Sequence, residues 1–400
     1  MSESREIPLG DVDPCGSRQA GRRSAVCLTP DGPVVGRADG RLTAFDRTGE
    51  ERWTADGEGS VVTLVPFDGG VLAGERSKRG AIRLFDADGT ERWSHETADD
   101  IGAPTKETRF FLPFVVDCVA GETAYVAARR YERRDGDRHF ESVVYALGGD
   151  GTERWRYAAD ASLIALAAFD GGVAAAYNRC PGDHDAGLVV LADGTERWRW
   201  NPGESDRRVG DVAAVDDETL AVTSHADYCG YLLSDGEVTR RIELATPLDR
   251  GDDRVYAYPN HVHATTDGAV FCTGNTFPTD GRETGARHPL EHTAVGVGRD
   301  GTRRFRADIG GFAHEVATDH ERLLVPVAQH FRDRDPAVHG FRLFDVTDGL
   351  VDSGGTAGVA TAAAVDGDRL AVVEEPVVYH DDGAERGRYA LHLRRSAHRQ

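Results

Sequence analysis

The sequence predicts an all-β fold, an eight-bladed β-propeller made of four-stranded antiparallel blades. Three observations predict it. A hairpin that ends in an aromatic residue recurs along the 400 residues, two further short strands precede each copy, and the common spacing is near 43 residues. A unit of four strands in about 43 residues has the size of one propeller blade.

The hairpins come first. Residues 42–53 read LTAFDRTGEERW, 82–93 IRLFDADGTERW, 144–155 VYALGGDGTERW and 188–198 LVVLADGTERW. Weaker copies follow at 230–242, 294–305 and 341–351. In each, a short apolar run leads into an Asp-Gly or Thr-Gly turn, which suits the left-handed dihedrals of a tight hairpin. A calcium loop is the rival reading of D-A-D-G-T-E, but the later ligands of such a loop are missing. The residue at the docking position is Trp53, Trp93, Trp155 and Trp198, then Ile242, Phe305 and Val351, at intervals of 40, 62, 43, 44, 63 and 46. The two long intervals are inserts of about 20 residues.

The two strands upstream of each hairpin are rich in Ala, Val, Gly and Thr, for example SVVTLVPF (60–67) and GGVLAGE (69–75). That composition suits strands covered on both faces with little room. The last blade, 359–395, has only three strands of its own. Pairing Arg5–Leu9 as its outer strand closes the ring and removes an exposed edge, and Pro8 is tolerated there because an outermost strand needs fewer donors. The expectation is one propeller domain over residues 1–400. A seven-bladed ring is the alternative, and it requires merging two repeats. The aromatic residues Trp53, Trp93, Trp155, Trp198 and Phe305 are expected to wedge successive sheets together, each indole covering about 150–250 Å².

This hairpin–Trp repeat resembles that of pyrroloquinoline-quinone-type repeat proteins, in which a Gly turn and a Trp dock adjacent blades. The resemblance spans nearly the whole chain and is sharpest in the first four repeats. That superfamily includes quinone-dependent alcohol dehydrogenases and a non-catalytic lipoprotein of the outer-membrane assembly machinery, so the resemblance implies a fold and leaves the activity open. The dehydrogenases are exported and carry an adjacent-cysteine disulfide above the cofactor, and this sequence lacks both features.

Composition narrows the function classes. Lys+Arg number 47 against 68 Asp+Glu, a net charge of −21, which argues against nucleic acid as a partner. No run of 18 apolar residues exists to span a membrane. Only Lys78 and Lys106 are lysines among the basic residues, and an acidic, Arg-rich surface fits a high-salt cytoplasm where the self-repulsion is screened. A GC-rich genome is the rival source of that bias. Six scattered cysteines (15, 27, 118, 180, 229, 272) match no zinc or redox spacing and are expected as reduced, mostly buried thiols. The polar N-terminus makes a poor signal peptide. A halophilic, cytoplasmic monomer is therefore expected.

The site is expected where irregular sequence gathers. Connections after the first and third strands of each blade are tight, whereas those after the second strand are long: 129–142, 177–187, 224–230, 274–293, 328–340 and 374–387. They share one face of the disc and carry Arg, His, Asp, Glu, Tyr and Asn. His261 and His263 alternate at the start of an innermost strand, His314 and Glu315 hold the corresponding place in the next blade, and His225 and His330 end second strands. A tetrahedral metal needs three or four such ligands, making His261, His263 and His314 the weak metal candidates. Histidines at strand ends are more often hydrogen-bonded interior residues, so no metal is assigned. Arg129, Arg130 and Arg179, with Asn178 beside them, could hold an anion, but pairing with nearby carboxylates is the simpler reading. No G-x-S-x-G, H-E-x-x-H or phosphate-loop motif occurs. The expected function is a non-catalytic binding propeller that presents its loop-rich face to a protein partner or small ligand, with no cofactor. The alternative is an enzyme with a quinone- or metal-dependent site at the channel mouth.

Overall fold

The computed structural model describes residues 4–16, 22–330, 332–379 and 383–396. By pairing, the strands form five separate four-stranded antiparallel sheets, an eight-stranded sheet of two four-stranded halves joined at Arg76 and Phe114, and a five-stranded sheet whose extra strand is Leu248–Arg250. A short three-stranded sheet lies at Cys15–Gly16, Val377–Val378 and Glu385–Arg386, which leaves eight four-stranded units. These span 25–55, 60–96, 114–159, 163–200, 209–243, 253–308, 317–355 and 359–395, and are numbered blades 1 to 8 in that order. Innermost strands pack side by side from blade 1 to blade 6 and from blade 7 to blade 8, and a cluster including Val270, Cys272, Leu323 and Val325 joins blades 6 and 7. The innermost strand of blade 8, Val359–Asp366, returns to that of blade 1, Ala25–Leu28. Ser4–Pro8 supplies the fourth strand of blade 8, antiparallel to Ala390–Arg395, from Ser4 opposite Arg394 to Pro8 opposite Ala390.

In five of the hairpins an aspartate has a specific task. The Asp46 carboxylate accepts the Thr48 and Glu50 N–H groups, and Asp86, Asp150, Asp300 and Asp345 each accept the N–H two residues on. These carboxylates close the turn against its own backbone, which is why the pattern repeats without being a cation loop.

Apolar clusters lie between neighbouring blades. Ala25, Leu42 and Val61 join blades 1 and 2, and Ile7, Val35 and Val373 join blades 8 and 1. The aromatic wedges sit at the rim of this packing and are half-buried. The Trp53 indole N–H donates to Ala87 O at 2.9 Å, and Trp93 donates to Gly149 O at 3.0 Å. Each ring lies on the turn glycine of the next blade: Trp53 on Gly89, Trp93 on Gly151, Trp155 on Gly194 and Trp198 on Gly236. A bulge in each hairpin fixes the register, and it places Arg240 at the equivalent position of blade 5 and Asp352 in blade 7. The expected Ile242 and Val351 are not the docking residues. Arg240 lies over Gly301, Phe305 over Gly349, and Ile7 with Arg5 over Gly49, so the last contact ties blade 8 to blade 1.

Residues 129–142 were expected as a loop and instead extend two strands, Ala124–Arg134 and Asp137–Leu147, to a tight turn at Asp135-Gly136. The reason is cross-strand pairing of long side chains, Arg130 opposite Glu141 and Tyr131 opposite Phe140. All six cysteines are free, and five of them are buried. Among the described residues no helix is long and apolar enough to cross a membrane.

Candidate functional site

Two features stand out on the loop-bearing side of the disc: an aromatic patch and a charged channel. The patch arises from strand alternation. In Asp253–Thr265, Val255, Ala257 and Pro259 turn inward, so Tyr256 and Tyr258 turn outward. Tyr228, in left-handed backbone (φ 64°) at the tight turn after the second strand of blade 5, stacks on Tyr256 with centroids 4.1 Å apart. Phe277, 38% exposed, packs on Tyr258 at 5.5 Å, and the Arg207 guanidinium lies 4.7 Å from the Tyr258 ring centroid. Among the described residues Arg207 has no carboxylate partner. A second aromatic group stands on blade 3, where Phe111, Tyr131 and Phe140 pack together beside Phe110, which is 61% exposed.

The channel is built on irregularities of the innermost strands. Register shifts at 115/117 and 209/211 let Asp117 and Asp211 reach the next blade, where they accept the Leu166 N–H at 2.8 Å and the Val262 N–H at 3.0 Å. Arg22 crosses the space: it donates to Val116 O of blade 3 at 2.6 Å and to Glu315, just before blade 7, at 3.3 Å. Arg22, Arg76 and Arg129 surround the Phe114 ring at 5.3, 3.8 and 5.7 Å. Burial, helped by the neighbouring guanidiniums, lowers Arg76 to about 9 and Arg129 to about 10. Burial also pushes the Glu315 carboxyl up to about 7, against the pull of Arg22, and the Asp117 carboxyl up to about 6, against its Leu166 bond.

The residues singled out in the sequence fall into separate places. His261 and His314 share the channel with Glu315: His261 Nε2 bonds Ala313 O at 3.2 Å and Nδ1 lies 3.7 Å from Asp211, while burial and then Arg109 hold His314 down to about 3. His263 is buried, its Nε2 unpartnered, and burial lowers it to about 4. Asn178 and His225 form a link across blades: the Asn178 amide donates to His225 Nδ1 at 2.9 Å, and His225 Nε2 donates to Pro259 O at 3.1 Å. Burial holds His225 neutral, down to about 3. Arg129 donates to Ser162 Oγ at 2.6 Å, Arg130 to Ile101 O at 2.6 Å and to Glu132, and Arg179 to Asp206 at 3.0 Å.

Among the described residues, His261, His263 and His314 do not form a group with metal-ligand spacing. Glu291, His292 and His330 do, with one ligand atom from each within 4.8 Å of the others. His330 was visible in the sequence, whereas Glu291 and His292 were hidden inside a long connection with nothing to set them apart. The channel does not fit a quinone cofactor, since Arg22 bridges its walls and no two cysteines are adjacent. A cavity of about 370 Å³ opens on the opposite, tight-turn side, lined by Pro30, Phe45, Trp53, Phe67 and Asp86. It is the groove beside the first indole wedge.

Sheets with these docking turns, closed head to tail, define a β-propeller. More particularly, residues 26–132 match the family described as outer membrane protein assembly factor BamB. Among solved structures, the chain is similar to BamB from Moraxella catarrhalis (TM-score 0.55, 15% identity, 99% of each chain covered). It is also similar to the computationally designed Ika8 protein (0.53, 14%, covering 96% of this chain and 99% of that one) and to the Dos1 propeller (0.50, 11%, covering 98% and 96%). At such identities the likeness establishes the fold alone. No curated protein matches the chain significantly.

Proposed function

We propose that the chain is a non-catalytic binding propeller whose loop-bearing face docks a protein partner, with the Tyr228–Tyr256–Tyr258–Phe277 patch as the anchor. The patch carries the reading. Tyr and Arg dominate the energetics of protein interfaces, because they combine a large apolar area with a polar tip. Here four rings from three segments are pre-packed around a guanidinium that has no carboxylate partner among the described residues. Pre-packing lowers the ordering cost of association. The likeness to BamB, whose description is that of an assembly factor, supports a protein-binding role and does not identify the partner.

The test is site-specific photo-crosslinking from position 277 in the native host, followed by mass spectrometry. One protein should be captured reproducibly, Tyr256→Ala should weaken its binding at least tenfold, and Asp88→Ala in a tight turn on the other face should leave binding unchanged. Equal effects of the two substitutions, or capture that survives Tyr256→Ala, would refute the assignment.

A further inference from the structure

The connection 279–292 of blade 6 ends in Glu291 and His292, and the connection of blade 7, which begins at Ala328, carries His330 as its third residue. The three side chains meet. His292 is 2% exposed and His330 8%, and their rings stand edge to face with centroids 4.6 Å apart. Glu291 accepts the Thr276 N–H at 3.0 Å through one oxygen and contacts His330 Nε2 at 2.9 Å through the other.

Hydrogen bonding fixes both imidazole tautomers. His292 Nε2 lies 2.8 Å from the Asn275 amide oxygen, which only accepts, so Nε2 carries the proton and Nδ1 presents a lone pair. That Nδ1 is buried and has no hydrogen-bond partner. A buried acceptor left empty costs about 1–3 kcal/mol unless something occupies it. His330 Nδ1 accepts the Arg332 and Asp333 N–H groups, both at 3.2 Å, so its proton is on Nε2 and faces Glu291. Asp333, held by Arg287, has an oxygen 3.8 Å from His330 Nε2.

We propose that Glu291, His292 and His330 bind a divalent transition-metal ion of the zinc class, which pins the long connection of blade 6 to that of blade 7. Two imidazoles and a carboxylate are a donor set for such an ion, and an amide oxygen behind the distal nitrogen of His292 orients that ligand as metal-site histidines usually are. Bonds of about 2.0–2.2 Å place tetrahedral donors roughly 3.3–3.5 Å apart, so the present separations, within 4.8 Å, call for a small contraction. The fourth position falls to water or Asp333. Coordination through His330 Nε2 moves its proton to Nδ1, which gives up the two long amide bonds and loosens the Arg332 and Asp333 N–H groups.

The experiment uses the full chain, stripped with chelator and titrated with Zn²⁺ alone by calorimetry, with Co²⁺ absorption reporting geometry. One equivalent should bind, the Co²⁺ spectrum should be tetrahedral, and hydrogen exchange at 332–333 should quicken in the bound state. His292→Asn should weaken binding at least tenfold, and His261→Asn should not. If His292→Asn does not fold, Glu291→Gln takes its place with the same expectation. Absence of a stoichiometric site, or Zn²⁺ affinity unchanged in the substituted chain, would overturn the proposal.

Discussion

Gly69 and Gly89 lie in two turns of the same blade with nearly the same backbone, φ +74° and +82°. They differ in what lies above them. A Cβ at Gly89 would fall 2.5 Å from Trp53 Cδ2, whereas a Cβ at Gly69 would meet nothing within 4 Å. An alanine at either site pays the left-handed penalty, roughly 1–2 kcal/mol, partly offset by the stiffer unfolded chain. Only Gly89→Ala must also push an indole aside, at about 1–3 kcal/mol for overpacking, and strain its bond to Ala87 O, worth about 1 kcal/mol. Gly89→Ala should therefore be less stable than Gly69→Ala by about 1–4 kcal/mol in equilibrium urea unfolding followed by Trp fluorescence. In a Trp53→Ala background that difference should vanish, because the clash has lost its partner. Equal effects in the parent chain, or a difference that persists without Trp53, would show that indole-on-glycine docking is not what joins the blades.

Two further outcomes follow from the channel and its walls. His225→Ala strands Pro259 O and one Asn178 donor between blades 4, 5 and 6, and thermal melts should register a loss of about 2 kcal/mol; a change within error would return His225 to the list of free ligand groups. The Glu315 carboxyl sits at about 7 in the fold against an ordinary 4.5, so the folded state holds that proton more tightly. Its contribution is fully present below pH 4.5 and is lost as pH rises through 7. Glu315→Gln removes this titration, so its stability relative to the parent should climb by up to about 3 kcal/mol between pH 4.5 and 8. A difference independent of pH would mean that the carboxyl is already ionised near its ordinary value.

Local signals made the architecture legible. An aspartate that bonds its own turn, a glycine in left-handed backbone and an aromatic at fixed offset recur because each solves a problem inside one hairpin. Ring closure by Ser4–Pro8 was legible too, since three strands at 359–395 leave one edge open. The docking residues of blades 5 and 7 were not. Arg240 covers Gly301 with its methylenes, a use of a charged side chain that an apolar pattern cannot reveal, and Ile242, two residues on, is a better hydrophobe that serves the cluster with Val262 and Phe271. The candidate sites were legible only as a face. Tyr228, Tyr256 and Phe277 become neighbours when a turn of blade 5 meets a hairpin of blade 6, and nothing in their spacing records that meeting.

The same long-range logic explains why the channel is rich in charge in a chain this acidic. Three guanidiniums, Arg22, Arg109 and Arg129, lie within electrostatic reach of Arg76, and burial lowers Arg76, Arg109 and Arg129. Charges out of water are costly unless paired, and the pairing here runs across the ring. Arg22 holds Val116 and Glu315 on opposite walls, while Arg23 and Ser24 hold Glu375, which is fully buried in blade 8. The side chains of Arg22, Arg23 and Ser24 thus bind blades 3, 7 and 8 from within, and Ser4–Pro8 binds blade 8 from without. A ring closed only at its rim could open by unzipping one outer strand. This one must also expose buried carboxylates and guanidiniums to open, so its closure is cooperative, and the channel serves as part of the clasp.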